Sequence, residues 1–260
     1  MKFMLTVIAA MLLSNSAVAN DDIVVLTENN HIVFSGPVTD QSVAVAQLEL
    51  AKISRKLDDS DTIYLILDSP GGSISAGNLF IDFANSLPQK IKPICLFCAS
   101  MAYHMFQSFD ERLVWSSSQL MSHRASLGGL GGQVPGEVES RLNSIKTVLD
   151  IMDTKIAGRI GISKEKYQQQ IFSELWLDGL TAQKQNHADR LAKIKCDKTI
   201  LGQVMKKEYN TMFGKVSVTV SKCPLINGFL GVEFGQQQFR SEAEAVKEVN
   251  KMRRNVVMEF

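Results

Sequence analysis

The chain is 260 residues long, enough for one substantial core and at most a small second unit. Its hydrophobic content of 45% and charged content of 21% are those of a globular protein and exclude a disordered or coiled-coil chain. A net charge of +1 gives no electrostatic case for a nucleic-acid partner or an anionic membrane surface.

The N-terminus bears on the compartment. Lys2 is followed by an apolar run over residues 3–13, then Ser14, Asn15, Ser16 and Ala17-Val18-Ala19. A charged start, a short apolar segment and a small-x-small site predict a signal peptide over 1–19, cleaved after Ala19. The apolar run is too short to cross a hydrocarbon core of about 30 Å. An exported protein, periplasmic or secreted, is therefore expected, with a main domain over 20–195 and a smaller extension over 196–260.

Along the mature chain, His31-Ile32-Val33-Phe34 alternates and ends at Gly36-Pro37, which predicts a strand and turn. Asp40 is the candidate cap of a helix running to about Lys56. The continuous apolar run Ile63-Tyr64-Leu65-Ile66-Leu67 predicts a strand covered on both faces. It leads into Asp68-Ser69-Pro70-Gly71-Gly72-Ser73 and a helix over about 75–87. A second buried strand over 91–97 precedes Ala99-Ser100-Met101-Ala102 and a short helix. Two short strands are expected at 113–115 and 119–121. After the glycine-rich stretch 127–132, apolar residues at Val138, Leu142, Ile145, Leu149, Met152 and Ile156 stripe a long helix over 136–159. That helix either packs on its own domain or projects towards a neighbouring subunit. A further helix is expected over 163–171, then the stretch 174–178 and a short helix from Thr181. In the extension, 214–222 alternates as a strand with 229–234 as its candidate partner, and Ser241 with Glu244 forms a capping box opening a last helix. Alternating strands and helices predict α/β layers around a mainly parallel sheet.

Of four cysteines, Cys196 and Cys223 bracket the start of the extension, and an oxidising compartment makes a disulfide between them plausible. Cys95 and Cys98 form a Cys-x-x-Cys, but no second pair completes a metal set. In a regular strand residues i and i+3 face opposite ways, so these two are expected to be structural.

A serine where a buried strand meets a helix is suited to a nucleophile, because the first helical N–H groups favour negative charge nearby. Ser100 has that position. Among the four histidines, His123 stands at the end of a strand and opens a loop, whereas His104 follows Ser100 by one helical turn and is aimed along the helix. Gly71 and Gly72 after Pro70 allow bare backbone N–H groups to approach a substrate.

These residues together reach a family. Asp68-Ser69-Pro70-Gly71-Gly72 with Ala76-Gly77 resembles the Ser-Pro-Gly-Gly-x-x-x-Ala-Gly segment of ClpP, the proteolytic subunit of Clp proteases. Ala99-Ser100-Met101-Ala102 resembles its nucleophile motif, Met121-Ser122-His123 its Met-Ile-His motif, and Phe34-Ser35-Gly36-Pro37-Val38 its early strand. The likeness runs in order over about 31–195. It implies the ClpP/crotonase fold, with repeated β-β-α units, a projecting handle helix and a small C-terminal α+β extension here. It implies a serine endopeptidase with Ser100 as nucleophile, His123 as general base, and the N–H groups of Gly72 and Met101 as oxyanion hole. The resemblance implies that substrate lies as an added strand beside the glycine-rich segment Gly128–Gln133, with Gly71, Gly128 and Gly129 as the substrate-binding residues. Without gaps, Glu174 falls where the family has its triad aspartate, and Asp178 is the second candidate. Arg124-Ala125 replaces the family's Gln-Pro after the histidine.

The resemblance further implies homo-oligomers acting on peptides or unfolded proteins, with no cofactor. Outside the cytoplasm an ATP-driven AAA+ unfoldase partner is not expected. The alternative is a catalytically inactive assembly or binding protein that keeps the fold, suggested by Glu174 and the altered loop after His123. An acyl-CoA enzyme of the crotonase type fits the fold but neither the signal peptide nor the Ser-His pair.

Overall fold

In the computed structural model, residues 23–128, 133–134, 136–211, 214–226 and 228–234 are described. The predicted signal peptide and the helix expected from Ser241 lie outside them. Strand β1 (Ile23–Leu26) and strand β2 (His31–Ser35) lead to helix α1 (Asp40–Ser54). Its cap is Thr39, not the expected Asp40: Thr39 Oγ1 accepts from the Ser42 N–H at 3.1 Å and the Ser42 hydroxyl accepts from the Thr39 N–H. Thr39 has the extended backbone that a cap requires, and Asp40 is already helical, contributing only its charge to the first turn. Strand β3 (Thr62–Ser69), helix α2 (Ile74–Asn85), strand β4 (Lys90–Ala99) and helix α3 (Met101–Gln107) follow.

Strand β5 (Leu113–Ser122) unites the two short strands expected from the sequence. The break between them is real. Cys95 pairs with Val114 and Phe97 with Gln119, so four residues of β5 oppose the single Leu96 of β4. The Ser118 hydroxyl, donating to the Cys95 carbonyl at 2.6 Å, closes that irregularity. Helix α4 (Glu137–Ile160), helix α5 (Lys164–Gln170), a 3-10 turn (Ile171–Ser173), strand β6 (Leu175–Asp178) and helix α6 (Gly179–Lys184) come next. Strands β7 (Arg190–Leu191), β8 (Lys193–Cys196), β9 (Val204–Thr211), β10 (Gly214–Ser221) and β11 (Phe229–Phe234) complete the chain.

The main sheet runs β2-β3-β4-β5-β6, parallel except for β6, with β7 beside β5. Strand β3 is covered on both faces, as its unbroken apolar run requires. Ile63, Leu65 and Leu67 join the core formed with α1, α2 and α3, whereas Ile66 joins Val24, Leu26, Ile94 and Ile200 on the opposite face. That second face is roofed by β1 and β8, which pair in parallel and were not expected from the sequence. The fold is α/β around a mainly parallel sheet, as the alternation of strands and helices predicts.

In the extension, β9, β10 and β11 make an antiparallel three-stranded sheet, with β10 and β11 paired as the alternation predicts. Cys196 and Cys223 are disulfide-bonded and tie the end of β8 to the segment after β10. Cys95 and Cys98 are also disulfide-bonded, which corrects the expectation that they face apart. The extra residue Leu96 in β4 shifts the register against both neighbouring strands, so a bulge brings positions i and i+3 to one side.

Helix α4 is buried only at Ile156, Ala157 and Ile160 near its end, so its earlier turns project from the body. Among the described residues no helix is long and apolar enough to cross a membrane.

Candidate active site

Strand β4 ends at Ala99 and α3 starts at Met101, so Ser100 is the single residue between them. Its backbone is held at φ 55° and ψ −121°, a region that costs a non-glycine residue about 1–3 kcal/mol. Two ties keep it there. The Ser100 N–H donates to the Met121 carbonyl at 2.9 Å, and its carbonyl accepts from the His104 N–H at 3.2 Å. Such a turn lifts the hydroxyl out of the backbone and towards the end of β5.

There His123 follows the last residue of β5, and its Nε2 lies 2.8 Å from Ser100 Oγ. The two residues are 23 apart in sequence, and the parallel pairing of Ala99 with Met121 brings them together.

Gly71 and Gly72 lie under this pair. Gly71 has φ 93°, and a Cβ there would come within 2.6 Å of the Ala99 carbonyl oxygen and of Ser100 Cβ. Only glycine lets the β3 turn approach the serine so closely. The Ser69 hydroxyl, fully buried, fixes that turn by accepting from the Gly71 N–H at 3.1 Å. Gly72, at φ 143°, bridges Val38, but the bonds run from the Val38 N–H to the Gly71 carbonyl at 2.7 Å and from the Ser73 N–H to the Val38 carbonyl at 2.8 Å. The bridge therefore leaves the N–H of Gly72 itself unused. Met101 opens α3, where the N–H groups of the first turn have no helical acceptor. Its side chain packs on Gly77, where a Cβ would collide with it. Two backbone donors thus flank Ser100, as an oxyanion hole needs.

The third position is arranged differently from the expectation. Pairing of Ser122 with Leu175 in the antiparallel β5–β6 ladder carries on to set His123 opposite Glu174. Glu174, however, takes φ 61° as the 3-10 turn ends, and its Oε2 accepts from Trp176 Nε1 at 3.1 Å. No hydrogen bond joins it to His123 among the described residues. Asp178, the second candidate, lies opposite Gln119, four residues before His123, and caps α6, accepting from the Thr181 N–H at 2.9 Å and the Thr181 hydroxyl at 2.8 Å. That helix cap was legible as an Asp three residues before Thr181.

Gly128 is exposed, with open space where a Cβ would stand. Gly129 lies outside the described residues. Arg124 stacks over the Phe172 ring at 4.1 Å, so the loop after His123 is pinned to the 3-10 turn before Glu174.

Ser100, His123, Gly72 and Met101 line a cavity of about 740 Å³. Tyr167, which is buried, is at its base and hydrogen-bonds Ser122, the neighbour of His123, at 2.7 Å. Burial pushes the Tyr167 phenol well above its ordinary pKa, so it stays protonated. His104 also lines the cavity, and burial pulls its pKa down to about 4. It is therefore neutral and is no substitute for His123, whose Nε2 already shares a hydrogen bond with Ser100 Oγ. Sequence reasoning missed Ser69 and Tyr167, since a buried hydroxyl in a turn or on a helix has no pattern of its own.

A comparison with protein-family models matches residues 14–194, more than half of the chain, to the family described as Clp protease.

Proposed function

The chain belongs to the Clp protease family, and from that premise we propose that it is a serine peptidase acting through an acyl-enzyme on Ser100. The observation that carries this reading is the 2.8 Å contact between His123 Nε2 and Ser100 Oγ, flanked by the free N–H groups of Gly72 and Met101. In the proposed reaction Ser100 Oγ attacks the substrate carbonyl while His123 Nε2 takes its proton. The oxygen, now negative, is held by the two backbone donors. His123 then gives the proton to the leaving amine, and water, activated by the same imidazole, releases the acyl group. Glu174 would orient His123 after leaving Trp176, the strand register already setting the two residues opposite each other.

Both cysteine pairs are disulfide-bonded, which supports export to an oxidising compartment. Such a peptidase would act without an ATP-driven unfoldase, on peptides or already unfolded chains, and as a homo-oligomer.

The test uses protein recovered from the exported fraction, its intact mass expected to begin at Asn20. It should react with a fluorophosphonate probe at Ser100 and cleave peptides, and His123→Ala should lower turnover by several orders of magnitude. A folded wild-type protein that does neither would sink the reading. The second reading, a non-catalytic binding protein, is favoured by the bond between Glu174 and Trp176; under it, Ser100→Ala would leave the biological effect intact.

A further inference from the structure

The cavity beside Ser100 is not uniformly apolar. One wall is a face of α4, with Leu149, Met152 and Ile156, and Tyr167 and Ile171 continue it. Into this set α4 brings Asp153, the cavity's one carboxylate among the described residues. Its side chain is partly buried and has a single hydrogen bond among the described residues, from Gln168 Nε2 to Oδ2 at 2.9 Å. Asp150, three residues earlier, is instead neutralised by Lys164 at 2.6 Å. Burial raises the Asp153 carboxyl above its ordinary pKa, the Gln168 bond and the charge of Lys164 opposing the rise and that of Asp150 adding to it, and no ion pair gives it a counter-charge of its own among the described residues.

The cavity's other polar groups do not supply one. Arg124 lies over Phe172, and Lys146 is exposed, two helical turns nearer the projecting end of α4. His104 is neutral, and its buried Nδ1 has no hydrogen-bond partner among the described residues. A neutral imidazole nitrogen without a partner is a second acceptor or donor available to a ligand.

We propose that this cavity receives a lysine or arginine side chain of the substrate, with Asp153 as its counter-charge and the specificity-determining residue. The proposal rests on the serine-peptidase reading and gives it a substrate class. The residue concerned is the one whose carbonyl Ser100 attacks, because Ser100, His123, Gly72, Met101 and Asp153 line one and the same cavity. Leu149, Met152 and Ile156 fit the methylene stem, and the cationic head reaches the carboxylate beyond them. A charge pair made away from bulk water is stronger than one on the surface.

The experiment compares fluorogenic peptide amides that differ only at the residue before the scissile bond: arginine, lysine, glutamine or leucine. The wild-type protein should favour arginine or lysine over leucine at least tenfold in kcat/KM, and Asp153→Asn should lower that ratio tenfold or more. Leucine preferred by the wild type, or a ratio unmoved by Asp153→Asn, overturns the proposal while leaving the peptidase reading in place. Absence of both cleavage and fluorophosphonate labelling removes the two together. Should Asp153→Asn fail to fold, wild-type protein decides alone: a peptide argininal should protect Ser100 from the probe at lower concentration than the matching leucinal, and the reverse order counts against a basic pocket.

Discussion

Ser100 is held at a positive φ that its side chain disfavours, and that strain is tied to its position between a strand and a helix. At a helix N-cap glycine is already tolerated better than alanine, and the backbone of Ser100 widens that difference. Ser100→Ala and Ser100→Gly both lose the hydroxyl, yet only glycine takes φ 55° freely. We expect Ser100→Gly to be the more stable by about 1 kcal/mol, read as a higher midpoint in urea; equal midpoints would mean that the turn is unstrained. At this scale the site was legible in residue types. Ser100, His123, Gly72 and Met101 fall where strands end, and parallel pairing of neighbouring strands aligns those ends. Glu174 was legible as a place but not as a bond, because a strand register says nothing of the backbone sign that turns a carboxylate towards Trp176. The Cys95–Cys98 bond was hidden for a related reason. Alternation along a strand assumes no extra residue, and Leu96 is one.

Helix α4 illustrates the same division among elements. Its stripe and span were readable, but whether it packs or projects was not, since an amphipathic pattern does not say which body covers the apolar face. The last turns are buried at Ile156, Ala157 and Ile160, and the earlier stripe at Val138, Leu142 and Ile145 is only half-buried. An apolar stripe on a projecting helix calls for a second surface, and a neighbouring copy of this chain is the proposed one. Light scattering at micromolar concentration should then give a mass well above 28.8 kDa, and the pair Leu142→Glu and Ile145→Glu should return it towards the monomer. A wild-type monomer would remove assembly through α4.

For the whole molecule, a buried polar network holds the helix that starts at the serine. Tyr103 and Gln107 of α3 reach His187, through the Tyr103 hydroxyl to Nδ1 at 2.6 Å and Gln107 Nε2 to the carbonyl at 2.7 Å. Arg112, only 2% exposed, bonds Asp189 through Nε at 3.0 Å and Nη2 at 2.7 Å, and its Nη1 also donates to Gln107. Burial, with Arg112 nearby, pulls His187 down to about 4, and burial does the same to His104. Unfolded histidines titrate near 6.5, so between about 6.5 and 4 the unfolded chain binds protons that the folded one refuses. Stability is therefore full above the higher value and falls as pH drops through that window, by on the order of 3 kcal/mol for each histidine. Thermal midpoints should decline from pH 7.5 to 4.5, and less steeply in His187→Gln; a flat profile would contradict the buried neutral imidazoles.

The roof over the second face of the sheet has a consequence for the order in which the chain is made. Strand β1 begins the described chain at Ile23, and its partner β8 lies at Lys193–Cys196, with Val24 pairing with Ile194. Until residue 196 has emerged, Ile66, Ile94 and Leu113 lack the cover that these strands supply. Cover of the second face is therefore completed only once nearly all of this body has been made. Cys196 arrives as the last residue of that closing strand, and Cys223 then fastens it from behind.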